Sequence, residues 1–96
     1  MRYWLSFDLG FRGNYDALYE WLDNMEAREC GDGIATFNTE KTREEITKEL
    51  SKLKLGDKAR IYIISQKHGG KFILGRRKQP PWTGYGALVL QTEEER

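Results

Sequence analysis

The sequence predicts a single α+β domain in which a mainly antiparallel sheet is covered on one face by two helices. Three observations lead to this expectation: apolar residues alternate near the N-terminus, two later segments have apolar residues at helical spacing, and paired glycines separate two further strand-like runs. The chain has 96 residues, of which 39% are hydrophobic and 32% are charged. This composition is typical of a globular domain with one core.

The first strand is expected at Arg2–Leu9. Its two faces carry Tyr3, Leu5, Phe7 and Leu9 on one side and Trp4, Ser6 and Asp8 on the other. The glycines of Gly10–Gly13 then predict a turn. Asn14 fits the N-cap of a first helix, because an asparagine side chain accepts a hydrogen bond from the free backbone N–H groups at a helix start. The residues that this helix is expected to bury are Tyr15, Leu18, Trp21, Leu22 and Met25.

The middle of the chain predicts one further strand and a second helix. The strand is placed at Gly33–Asn38, since Cys30–Gly33 has the composition of a turn or a bulge. Thr42 and Glu45 fit a capping box, in which each side chain hydrogen-bonds to the backbone of the other residue. The helix that they open is expected to end at Gly56, because glycine is favoured where helices end.

A hairpin is predicted after the second helix. Asp57–Gln66 alternates as a strand, and the paired glycines after His68 indicate a tight turn into a strand at Lys71–Gly75. Residues 76–86 are expected to be irregular, and Ala87–Leu90 to form a short last strand.

The resulting order, β-α-β-α-β-β, is close to the split β-α-β or ferredoxin-like arrangement. We therefore expect one ferredoxin-like domain over residues 1–92, including a C-terminal hairpin, and a frayed acidic tail at 93–96. Both helices would cover one face of the sheet. The other face would carry Trp4, Tyr62 and Phe37, and burial of these rings would favour a homodimer.

Charge is strongly segregated along the chain, although the formal net charge is only +1. Residues 1–57 contain 8 Lys/Arg and 12 Asp/Glu, whereas residues 58–92 contain 7 Lys/Arg and no acidic residue. The basic part would attract phosphate groups; the alternative is an ordinary basic strand pair that faces an acidic helix. With no run of 18 apolar residues, no signal-peptide pattern and a single cysteine, Cys30, we expect no membrane contact and a cytoplasmic location.

Asp8 is the first candidate for a functional residue. It ends the first strand beside Gly10, and Arg12 lies in the same loop. A carboxylate in this position can hold a divalent cation, especially when a second copy of the chain supplies another carboxylate. The alternative is that Asp8 accepts hydrogen bonds from the loop amides. A zinc site is not predicted, because the chain has one histidine and one cysteine.

The second candidate is the basic and aromatic segment at 66–85. Its cations would contact phosphates and its rings would stack on unpaired bases, as in proteins that bind single strands. The residues expected to bind nucleic acid, with Arg12 included, are Arg12, Lys67, Lys71, Arg76, Arg77, Lys78 and Trp82. The same composition would suit an arm that packs on a partner subunit.

The opening strand resembles that of a known group of proteins. Tyr3–Leu9 is similar to the hydrophobic strand ending in Tyr/Phe-Asp-Leu/Ile that opens the small CRISPR-associated adaptation endonuclease and the related SinR-like and VapD-like ferredoxin-fold proteins. The similarity continues through Asn14–Leu22, Ile34–Thr42 and Ile61–Ile64. The resemblance implies a ferredoxin-like homodimer in which Asp8 of each copy faces the two-fold axis. In nuclease members of the group, this aspartate takes part in phosphodiester cleavage that depends on a divalent metal.

Together these features predict a small dimeric protein, resembling SinR-like proteins, that binds RNA or DNA. Metal-dependent endonuclease activity is a further expectation, with Asp8 as the catalytic and Mg²⁺-binding residue. The alternative is a non-enzymatic protein-interaction or antitoxin-like subunit, for which an exposed aromatic sheet face and a protein partner suffice.

Overall fold

The computed structural model describes residues 1–76, which form five strands and two helices. The strands are β1 (Arg2–Asp8), β2 (Arg28–Gly31), β3 (Ile34–Asn38), β4 (Arg60–Ser65) and β5 (Gly69–Leu74), and the helices are α1 (Tyr15–Asn24) and α2 (Arg43–Lys52). All neighbouring strands pair antiparallel, in the sheet order β2-β3-β1-β4-β5. The prediction of an α+β fold with an antiparallel sheet and two helices is confirmed. The strand predicted at Ala87–Leu90 and the tail at 93–96 lie outside the described residues.

The strand β1 lies at the centre of the sheet, between β3 and β4. The helix α1 joins β1 to β2, and β3 lies between these two strands. The helix α2 joins β3 to β4, and β1 lies between those two. Because every neighbouring pair is antiparallel, each helix connects two strands that run in the same direction with one strand inserted between them.

The segment between the two helices contains two strands, where the sequence predicted one. The strands β2 and β3 form a hairpin that turns at Asp32 and Gly33. Gly33 has a φ of +70°, and a β-carbon there would lie 2.7 Å from the carbonyl oxygen of Phe7. The turn-like composition of Cys30–Gly33 therefore marks the end of β2, with its register shift, and the hairpin turn that follows.

Both predicted helix starts are confirmed. The side chain of Asn14 accepts the backbone N–H of Ala17 at 3.2 Å, and Thr42 and Glu45 form the complete capping box. These bonds satisfy N–H groups that have no partner inside the helix. Within residues 1–76, no helix is long and apolar enough to cross a membrane.

The helix α2 ends earlier than predicted. It stops at Lys52, and Lys54 adopts a left-handed backbone conformation with a φ of +54°, instead of the helix continuing to Gly56. The turn places Leu55 in the core, where it is 3% exposed, and its carbonyl oxygen accepts the backbone N–H of Asn14 at 2.9 Å. The helix therefore ends before Gly56, and the turn that follows it allows the side chain of Leu55 to be buried.

One core lies between the two helices and one face of the sheet. The buried residues that form it are Tyr3, Leu5, Leu9, Leu18, Trp21, Leu22, Ala35, Phe37, Ile46, Leu50, Leu55, Ala59, Ile61 and Ile63. The expected position of Phe37 on the uncovered face is wrong. Phe37 pairs with Tyr3, whose side chain points to the helices, and its ring is edge-on to that of Trp21 with centroids 5.4 Å apart.

Glu49 links the two helices at the edge of this core. Its Oε1 accepts the indole N–H of Trp21 at 2.9 Å, and its other oxygen pairs with the ammonium of Lys41. Hydrogen bonds from Lys41 and from Trp21 hold the pKa of Glu49 below its ordinary value. The hydrogen bond to Glu49 orients the indole of Trp21, whose ring packs against Phe37 of the sheet.

Candidate functional site

The face of the sheet that points away from the helices carries a second set of side chains, and no described helix packs on it. We call this set the open face. Strand alternation places on it Arg2, Trp4, Ser6, Asp8, Arg28, Ile34, Thr36, Asn38, Arg60, Tyr62, Ile64, Gly70 and Phe72. Trp4 and Tyr62 therefore lie where the sequence predicted them.

Cross-strand pairing arranges the open face in rows. One row consists of Arg28, Thr36, Trp4, Ile64 and Gly70, and the next consists of Ile34, Ser6, Tyr62 and Phe72. Asp8 and Arg60 form a further row at the end of β1. Since adjacent strands are about 4.8 Å apart, the rows bring rings from three strands into one patch.

The ring of Tyr62 lies across the edge strand β5. A β-carbon added to Gly70 would lie 2.6 Å from Cε2 of Tyr62, so the ring occupies the space that a side chain at position 70 would need. Phe72 packs edge-on against the same ring, with centroids 5.0 Å apart and planes at 79°. Trp4 is a diagonal neighbour of Tyr62, and such pairs have Cα atoms about 7–8 Å apart. All three aromatic side chains are partly exposed.

Two donors among the described residues hydrogen-bond to Asp8. Its Oδ2 accepts a hydrogen bond from a guanidinium nitrogen of Arg60 at 2.8 Å, and its Oδ1 accepts the backbone N–H of Gly10 at 3.0 Å. The alternative that Asp8 accepts a hydrogen bond from a loop amide is confirmed. Arg60 was not predicted as a site residue, because its contact with Asp8 depends on the β1–β4 register.

The groups described around Asp8 do not fit a divalent-cation site built by this part of one chain. The guanidinium of Arg60 already brings a positive charge to this carboxylate, and a dication would have to displace it. In the described part of the chain, no three His, Cys, Asp or Glu side chains are grouped so that they could hold a metal ion. The roles of Asp8 in binding Mg²⁺ and in catalysis stay predictions.

The basic residues predicted to bind nucleic acid do not form one cluster as far as their described members show. Arg12 in the β1–α1 loop and Arg76 after β5 lie toward the end of the sheet where β1 ends. Lys67 lies in the β4–β5 turn at the opposite end, about 17 Å away at the usual rise per strand residue. Lys71 pairs with Ile63 and so lies on the helix side of β5. Three further predicted residues, Arg77, Lys78 and Trp82, lie outside the described residues.

Charge is segregated by layer in the folded chain. The open face carries three arginines, Arg2, Arg28 and Arg60, and one described carboxylate, Asp8. The two helices instead carry six acidic and three basic residues. Counting charge along the sequence missed Arg2 and Arg28, because both belong to the acidic first part of the chain and only strand pairing brings them to this surface.

Comparison of the chain with protein-family models, with curated proteins and with solved structures found no match. The resemblance to the SinR-like group, and the homodimer that it implies, therefore stay predictions. The arrangement of arginines and rings on the open face is the main structural evidence that bears on function.

Proposed function

We propose that the protein binds nucleic acid through its open face. The observation that carries this proposal is the presence of three partly exposed rings, Trp4, Tyr62 and Phe72, on a surface whose described residues include more arginines than carboxylates. Arginine keeps its charge and matches phosphate geometry, while aromatic rings offer surfaces on which bases stack. In other proteins, sheets that present aromatic side chains bind RNA in this way.

A second copy of the chain is the competing occupant of this face. In a two-fold contact the same patch would face itself, so Arg2, Arg28 and Arg60 of both copies would be brought together. Each copy would supply only Asp8 as a described carboxylate, and that residue is already paired within its own chain. Like charges in such an interface are unfavourable, whereas a polyanion would neutralise them. Charge thus favours nucleic acid as the occupant.

The ferredoxin-like arrangement is part of the same proposal. The first six elements follow the order β-α-β-β-α-β, and β1 and β3 occupy the two inner positions among the first four strands. These features support the split β-α-β plan, with β5 added at one edge. Arg12 and Arg76 would extend phosphate contacts beyond the open face at the end where β1 ends.

The alternative function is protein binding without catalysis. Ile34 and Ile64 are 39% and 40% exposed on the open face, and they give it an apolar component. An interface held mainly by such residues would depend little on salt, because no counterions are released when it forms.

The test of the proposed function is a titration with labelled RNA and DNA, each as single and as double strands. We expect binding that is measurable at 50 mM salt and weakens about tenfold or more by 200 mM, because phosphate contacts release counterions. Each titration is repeated with and without Mg²⁺. If no nucleic acid binds at low salt, the proposal is rejected.

The Asp8→Asn variant separates binding from the predicted metal chemistry. We expect nucleic-acid binding that is unchanged or slightly tighter, because the substitution removes a negative charge and leaves Arg60 more available to phosphate. Loss of this exposed ion pair should cost no more than about 1 kcal/mol of unfolding free energy. Binding and cleavage are both measured with Mg²⁺. Cleavage by the wild type that Asp8→Asn abolishes would instead establish the nuclease role of Asp8.

A further inference from the structure

We infer that the nucleic acid on the open face is single-stranded, and that its unpaired bases stack on Trp4 and Tyr62. This inference rests on the proposed function and specifies its ligand. Both rings lie on inner strands of the five-stranded sheet, in β1 and β4, and not on its edges. Their position decides which form of nucleic acid can reach them.

A duplex cannot present its bases to these rings. Five strands span about 19 Å, whereas the major groove of B-form DNA is about 12 Å wide and admits at most a helix or a two-stranded ribbon. In a duplex the faces of the bases are covered by their neighbours in the stack. Only a strand with unpaired bases can lie across the sheet and place base faces on Trp4 and Tyr62.

The ring of Tyr62 is held in place before any ligand binds. The absence of a side chain at Gly70 makes room for it, and Phe72 packs against its side. A ring that is already ordered loses little conformational entropy when a base stacks on it. Beside it lies a depression of about 210 Å³ that is lined in part by Ser6, Phe72 and the paired side chains of Asp8 and Arg60. This depression gives a base room next to the Tyr62 ring.

Arginines flank the two rings, Trp4 and Tyr62, on two sides. Arg28 shares a row with Trp4, and Arg60 lies two residues before Tyr62 in β4, toward the end of β1. A strand that stacks two bases between them would bring its phosphates to a guanidinium on each side. The charge of the face is thus complementary to the backbone of the same strand whose bases the rings accept.

The experiment compares three labelled probes of one sequence: a single-stranded 12-mer, the same strand annealed to its complement, and a 12-mer in which abasic sites replace the central bases. All three carry phosphates, but only the first offers unpaired bases. We expect the wild type to bind the intact single strand roughly 10- to 100-fold more tightly than the other two, which is the range for loss of one to two stacked bases.

Variants then assign the preference to the two rings. Trp4→Ala and Tyr62→Ala should each lose about half of this preference on a logarithmic scale, because one ring remains in each variant, whereas Tyr62→Phe should keep the preference because it keeps the ring. The matched control is Tyr19→Ala, since Tyr19 is an aromatic residue that is 49% exposed on the helix layer. Circular dichroism of each variant verifies that the fold is retained.

The outcomes separate this inference from the proposed function. Equal binding of all three probes by the wild type would overturn base stacking and leave nucleic-acid binding intact, and this result needs no variant to fold. Tighter binding of the duplex than of the single strand would likewise overturn base stacking and leave nucleic-acid binding intact. Binding of none of the probes at 50 mM salt would overturn the proposed function itself, and with it the inference. In that case sedimentation of the wild type and of Trp4→Ala would show whether a second copy covers the face.

Discussion

A triple variant that replaces the open-face arginines with glutamine, Arg2→Gln, Arg28→Gln and Arg60→Gln, should lose most of the salt-dependent part of nucleic-acid binding. Each phosphate contact to a single strand contributes about 0.7 to the slope of log affinity against log salt concentration. Removal of three contacts should therefore lower the slope by about 2. Between 50 and 200 mM salt, the affinity of the triple variant should therefore fall by a factor that is roughly 20-fold smaller than the factor for the wild type. The measurement is a set of titrations at four salt concentrations.

The matched control removes the same amount of charge from the opposite layer. Lys48, Lys52 and Lys54 are exposed in and just after α2, and their replacement by glutamine changes the net charge by the same three units. We expect the control to keep nearly the full slope, because its cations lie away from the open face. If both triple variants lose the same slope, binding is governed by net charge and the open face is not the binding surface.

Local chemistry predicted the elements of this fold well. Both helix starts could be predicted from the sequence, at Asn14 and at Thr42 with Glu45, because capping depends on residues only three positions apart. The end of α2 was predicted at Gly56 but lies at Lys52, because it is decided by the burial of Leu55, a tertiary contact. The β2–β3 hairpin was missed for a related reason. Its glycines indicate a turn, but only the pairing of β2 with β3 shows that a strand lies on each side of that turn.

The site was less predictable than the fold, because it is assembled across strands. Alternation alone places Trp4 and Asp8 on one face of β1. It does not indicate that Arg60 lies opposite Asp8, or that Arg28 shares a row with Trp4 through β3. Those relations follow from strand order and register, which a residue count along the chain does not contain. The composition of the basic segment predicted nucleic-acid binding, yet Lys67 and Lys71 lie away from the open face.

Two phenylalanines test the assignment of the two sheet faces directly. Phe37 is 1% exposed and lies between the rings of Tyr3 and Trp21, whereas Phe72 is partly exposed and touches the ring of Tyr62. Replacement of a buried phenylalanine by alanine costs about 3–5 kcal/mol. Since small domains have only about 5–15 kcal/mol of stability, Phe37→Ala should unfold at a much lower urea concentration or fail to fold.

Phe72→Ala should have the opposite balance of effects. We expect it to lose about 1–2 kcal/mol of unfolding free energy, because its ring is only partly buried and forms one aromatic pair, and to unfold at a urea concentration closer to the wild-type value than Phe37→Ala does. Its affinity for a single strand should nevertheless fall several-fold, because the ring of Tyr62 loses the neighbour that orders it. Urea unfolding followed by circular dichroism and a titration with the 12-mer measure both quantities.

If Phe72→Ala proved the more destabilising of the two, the open face would be part of a buried interface. A stable Phe37→Ala variant with weakened binding would place the ligand on the helix side of the sheet. The pair of variants therefore decides which face of the sheet holds the domain together and which is available to a ligand.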